Sequence, residues 1–157
     1  MDRAMIIQTI EENRALIKSS IDRLRAEADK HVTEYWDVWK ERNRVEILIP
    51  REGRVFKNTY LGSFAPKITM IGNAKKITIH WHQYRPYKNQ PPSFMSVRVM
   101  PKKSGKYTKS CFENHAHWEW EMIEKTEKIL SPYREVLEHY HEMYIQLGSI
   151  LRQFTNK

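Results

Sequence analysis

From Met5 to about Asn43 the chain has no Gly or Pro, and Ile7, Ile10, Ile17, Ile21, Leu24, Ala28, Tyr35 and Val38 recur at helical spacing. The pattern predicts one long helix, or two nearly collinear ones. Only Arg14 and His31 interrupt this series when it is read as heptads, so the apolar stripe is narrow and needs a partner helix. A second stripe runs Phe112, Ala116, Ile123, Leu130, Tyr133, Leu137, Tyr140, Tyr144, Leu147, Leu151 and Phe154, with Glu119 and Thr126 as its only breaks. Ser110 and Glu113 have the spacing of a capping box that would start this second helix, and Ser131-Pro132 predicts a kink or short break within it.

Between the stripes the period changes. β-branched alternation and Pro/Gly punctuation predict strands at Val45 to Ile49, Arg54 to Tyr60, Lys67 to Ile71, Lys76 to His82 and Phe94 to Met100. In the strand from Lys76, Ile77, Ile79 and Trp81 face one way, with Lys76, Thr78, His80 and His82 opposite. The expected architecture is a single α+β domain in which long N- and C-terminal helices form an antiparallel hairpin, with an antiparallel β-meander inserted at its tip. Its three segments are 1–43, 44–110 and 111–157, the last kinked or broken near 131–132.

Charge sharpens this division. Residues 44–110 hold 14 Lys/Arg against only Glu46 and Glu52, a segment charge of +12 in a chain of net +8. Both flanks are mildly acidic. Counterion release from phosphates rewards such a concentrated patch, whereas solubility is served better by mixed signs. The pattern therefore points to a polyanionic partner.

Two stretches of the basic segment suggest contacts. His80 to Gln90 interleaves aromatics with His82, Arg85 and Lys88, a composition suited to gripping phosphates and stacking on bases. Lys102 to Lys109 reads as a flexible loop entering a helix N-terminus, where free N–H groups favour anions. The expected nucleic-acid contacts are Lys75, Lys76, His80, His82, Arg85, Lys88, Arg98, Lys102, Lys103, Lys106, Tyr107 and Lys109.

Catalysis finds little support. The P-loop and dinucleotide-binding glycine patterns are absent from the sequence, and the basic segment lacks the clustered carboxylates of a Mg²⁺ nuclease. Three His-x-His pairs occur, and only His80 and His82 would share a strand face, without an evident third ligand. No metal or other cofactor is expected. The single cysteine, Cys111, is read as a buried packing residue, and the indoles and carboxylates of His117 to Glu121 as core or interface packing. No apolar run is long enough to span a membrane, so a cytoplasmic, non-enzymatic protein is expected.

The C-terminal stretch from Lys106-Tyr107-Thr108 through His115-Ala116-His117-Trp118-Glu119 and Thr126-Glu127 to Pro132-Tyr133-Arg134 resembles the MobI family of conjugative transfer proteins. The Ile77 to Trp81 strand resembles that family more loosely. This resemblance implies an auxiliary protein that acts on double-stranded DNA at an origin of transfer and helps the relaxase, with homodimerisation through the long helices permitted. The alternative is a protein-interaction module whose basic head docks on an acidic partner. A third reading is single-strand or RNA binding through Trp81, Tyr84 and Tyr87.

Overall fold

The computed structural model describes residues 2–51, 60–84 and 96–156. Helix α1 spans Arg3–Leu48, and the Asp2 side chain caps it by accepting from the Ala4 N–H at 3.0 Å. At 46 residues it is roughly 70 Å long. It stops where Ile49 turns extended ahead of Pro50, a residue whose ring disfavours helical geometry in its predecessor. The strand expected at Val45 to Ile49 is thus helical up to Leu48. Tertiary anchoring overrides β propensity there: Asn43 exchanges two hydrogen bonds with the Gly62 backbone, and buried Glu46 pairs with Arg42 and Arg51.

Helix α2 spans Glu119–Thr155, and its core line Ile123, Leu130 and Leu137 repeats every seven residues. It runs continuously through Pro132, so of the kink or short break expected near 131–132 the break is excluded. The same stripe is buried before and after the proline, and that packing outweighs the one backbone hydrogen bond the ring removes. The two helices pair antiparallel along their length within one chain. Arg3 reaches the Phe154 carbonyl, Arg14 donates to the Tyr144 carbonyl at 3.1 Å, and Trp39 donates to Glu119 at 2.9 Å.

Strands β1 (Phe64–Ile71), β2 (Lys76–Tyr84) and β3 (Ser96–Arg98) form an antiparallel sheet in that order, giving an α+β fold. Pro66 opposes Trp81, Ile68 opposes Ile79, and Met70 opposes Ile77 on the inner face. On the outer face Lys67 opposes His80, Thr69 opposes Thr78, and Arg98 opposes His82. The strand expected at Arg54 to Tyr60 lies outside the described residues except for Tyr60, as does the start of the one expected at Phe94.

The sheet extends from the tip end of the hairpin, where Phe64 meets Glu119 at the start of α2, to Ile21 and Leu137 midway along it, because its apolar inner face must be covered. Ile77 and Ile79 pack with Ile21, Ala28, Val32, Leu130 and Leu137, while Trp81 and Phe64 pack with Tyr35, Trp39, Phe112 and Ile123. Burial on this scale supplies the main driving force for folding. Among the described residues no helix is long and apolar enough to cross a membrane.

Helix side chains cover part of each sheet edge. At the β1 edge Tyr35 Oη donates to the Phe64 carbonyl at 2.8 Å, Trp36 Nε1 donates to the Pro66 carbonyl at 2.7 Å, and Glu119 accepts from the Phe64 N–H at 2.8 Å. Pro66 itself has no N–H to expose there. Beyond short β3, Arg134 Nε donates to the Ile79 carbonyl at 2.7 Å. Such covering prevents unintended strand pairing.

Candidate nucleic-acid interface

The outer face of the sheet gathers Lys67, His80, His82 and Arg98 from three strands. Lys67 and Arg98 are exposed, whereas His80 is only 4% exposed. Its ring lies 4.9 Å from that of His82 and within 3.3 Å of the Thr78 hydroxyl. Burial, followed by the charges of Arg98, His82, Lys67 and Arg134, pushes the His80 pKa down to about 4. Burial and then Lys67 and Arg98 lower His82 also, and its Nδ1 sits 3.1 Å from the Ser96 hydroxyl. Both rings are therefore neutral at pH 7, and Lys67 and Arg98 carry the charge of this face. His80 is corrected from a surface contact to a buried residue. Among the described residues no group of three or more His, Cys, Asp or Glu is gathered as a metal site.

A second cationic element follows β3. Lys102 donates its N–H to the Lys106 carbonyl at 2.9 Å, and Gly105 donates to the Lys102 carbonyl at 2.8 Å, closing a tight turn. Gly105 has φ +82°, a conformation that a side chain would strain. Lys102, Lys103 and Lys106 point into solvent from this turn. It does not lead straight into a long helix, as the sequence suggests: Lys109–Cys111 form one 3-10 turn after Thr108, and α2 begins at Glu119. The expected Ser110/Glu113 capping box is therefore not the start of α2, and Lys102 to Lys109 do not run directly into the N-terminus of a long helix. Cys111 is half-buried and accepts from the Thr108 N–H at 3.5 Å.

The remaining expected contacts divide by environment. Lys75 is exposed at φ 53° in the turn joining β1 to β2, whereas Lys76 is paired with Glu138 of α2 at 2.6 Å. Lys109 Nζ lies 5.6 Å over the Trp120 ring. Tyr107 is half-buried, donates to the Val99 carbonyl at 3.2 Å, and has the Arg134 guanidinium 4.9 Å from its ring. Arg85 and Lys88 lie outside the described residues, together with Tyr87. Within the basic segment Arg44 pairs with Glu41, and Arg51 with Glu46. Lys67, Lys75, Arg98, Lys102, Lys103 and Lys106 have no ion-pair partner among the described residues. Lys67 is not among the contacts expected from sequence, although the alternation along β1 puts it on the Thr69 face.

The base-stacking reading fails at Trp81, and Tyr84 is half-buried in packing. Trp81 is fully buried and donates to Glu127 at 2.9 Å, and Tyr84 packs against Trp36 and Trp39 at 5.1 and 6.0 Å. Both serve the core. Glu127 in turn holds Arg134 through two bonds of 2.8 and 2.9 Å. Glu119 is fully buried and accepts from Trp39 Nε1, Phe64 N–H and Ala116 N–H at 2.9, 2.8 and 3.1 Å. Burial raises its pKa, and those hydrogen bonds oppose the rise. Trp118 donates to the Tyr60 carbonyl at 2.6 Å. The Tyr107, Trp118-Glu119, Glu127 and Arg134 positions thus form the polar framework that joins sheet to hairpin.

Residues 24–148 match a family model described as MobI protein, a span that takes in most of both helices and the whole sheet. No curated protein and no solved structure matches the chain.

Proposed function

The chain belongs to the MobI family of proteins associated with conjugative mobilisation, and on that premise we propose that it is a non-enzymatic accessory factor that binds duplex DNA at an origin of transfer. The observation that carries this reading is a group of cations in the basic segment without ion-pair partners among the described residues: Lys67 and Arg98 on the outer sheet face, Lys75 in the β1–β2 turn, and Lys102, Lys103, Lys106 and Lys109 in and just after the turn that follows β3. Their charges are available to phosphates, whereas most other cations of the basic segment that the structure describes are held by carboxylates. The hairpin supplies a long rigid support, with a surface for the relaxase or another transfer protein.

Charge reversal of the turn, as Lys102→Glu/Lys103→Glu/Lys106→Glu, frees up to three phosphates without touching the core. Plotting log affinity against log salt should show a slope shallower by about 0.9 for each phosphate no longer neutralised. A folded triple variant with wild-type affinity and slope would remove the turn from the interface. An interaction module that docks on an acidic protein remains the second reading. The same exposed cations favour it, and it predicts no duplex binding near physiological salt.

A further inference from the structure

We infer that the cleft between the segment following the lysine turn and helix α2 receives one unstacked nucleobase when the protein engages DNA, an inference that rests on the nucleic-acid reading above. The cleft encloses about 420 Å³, within the range of small-molecule sites. Phe112 and Ile123, both essentially inaccessible to solvent, form its apolar floor, and Tyr107 and Trp120 contribute half-buried aromatic rings to its wall. Thr108 and Ser131 add hydroxyls able to meet the polar edge of a base.

Charge complementarity selects the occupant. Lys106 and Lys109 stand on the rim, with Lys102 and Lys103 in the adjoining turn, so an aromatic group attached to a phosphate meets aromatic surface and cations together. The two acidic residues of the cleft are compensated: Glu124 pairs with Lys128 at 3.2 Å, and Glu127 is held by Arg134. An uncharged apolar side chain would use the floor and leave the cationic rim unmatched. Trp81 is fully buried and half-buried Tyr84 is packed edge-on against Trp36, whereas Tyr107 and Trp120 line an open cleft beside the lysine turn.

The test compares labelled duplexes that differ by one unpaired thymidine bulge, titrated with the full chain and read by fluorescence anisotropy. Stacking of one base on an aromatic ring predicts a preference of about 5- to 150-fold for the bulged duplex. Trp120→Leu should erase that preference while intact duplex binds as before, and Lys106→Ala/Lys109→Ala should weaken both. Photocrosslinking of the unaltered protein to a bulged 5-iodouracil provides a second readout that needs no variant to fold, with Trp120 or Tyr107 the expected site. Equal binding of bulged and intact duplex, or crosslinks confined to other regions, would overturn the assignment and leave the cleft to a protein side chain. Failure to bind either duplex would remove the nucleic-acid reading itself, and this inference with it.

Discussion

Replacing Glu119 is the most informative perturbation of the fold. Its two oxygens serve three buried donors: Oε2 accepts from Trp39 Nε1 and the Phe64 N–H, and Oε1 from the Ala116 N–H. Glu119→Ala leaves all three unpaired in a dry site, at about 1–3 kcal/mol each. Water entering the vacated space, and relief from burying a carboxylate, return part of that cost, so about 3–5 kcal/mol is expected. Against a typical total stability of about 5–15 kcal/mol this is a large fraction. Glu119→Gln separates hydrogen bonding from volume. Its amide oxygen keeps the Trp39 and Phe64 bonds, while its NH₂ faces the Ala116 N–H, so stability should fall by about 1–3 kcal/mol. Urea unfolding at pH 7, followed by tryptophan fluorescence, measures both variants. An Ala variant within about 1 kcal/mol of wild type, or a Gln variant as unstable as Ala, would refute the reasoning.

Other expectations follow from burial. His80 in the folded state has its pKa at about 4, below its ordinary 6.5, so the fold binds fewer protons than the unfolded chain. Its contribution of about 3 kcal/mol is fully present above pH 6.5 and lost as pH falls toward 4. His80→Gln should flatten the stability profile in that window relative to wild type, and superimposable profiles would contradict the assignment. Burial pushes Glu119 in the opposite sense, so the readout is the difference between the two proteins. At Gly62 an added Cβ would meet Trp39 Nε1 at 2.6 Å, Glu119 Oε2 at 2.7 Å and the Trp118 ring at 2.8 Å. Gly62→Ala should therefore cost about 1–3 kcal/mol by chemical denaturation, and a neutral effect would show that the site yields.

Much of this architecture is legible in the chain. The two stripes specify the helices, the period of two from Ile77 to Trp81 gives the buried sheet face, and the interruptions in the stripes have physical meanings that appear only in three dimensions. Arg14 breaks the first seam because it lies over the Tyr144 ring, with its carbon 3.9 Å from the centroid, and against Gly148. His31 tilts onto Tyr133 at 5.9 Å. Glu119 breaks the second seam because the open edge of β1 needs an acceptor inside the core. Where expectation and structure differ, distant residues are the common cause. At Val45 to Ile49 local propensity favours a strand, but the anchoring of Asn43 to Gly62, distant in sequence, prolongs the helix. The start of α2 is obscured by a Ser-x-x-Glu spacing with no helix behind it.

The candidate site is less legible than the fold. The excess of Lys and Arg is evident from composition, but the pairing of Lys76 with Glu138, 62 residues away, and the burial of His80 depend on tertiary packing. Resemblance to a family carries a similar ambiguity. Its recognisable positions, Tyr107, Glu119, Glu127 and Arg134, lie in the polar framework, whereas the exposed lysines at 67, 75, 102, 103 and 106 all precede them in the chain.

Competition binding against an origin-of-transfer duplex is the most direct test of the central claim. The purified chain is held on labelled origin duplex at about 150 mM salt and challenged with unlabelled origin duplex or a scrambled duplex of equal length, conditions under which non-specific contacts are weakened. The account predicts displacement by origin duplex at concentrations at least about 1,000-fold below those needed of the scrambled one. Equal displacement by both, or no binding to either, would contradict it.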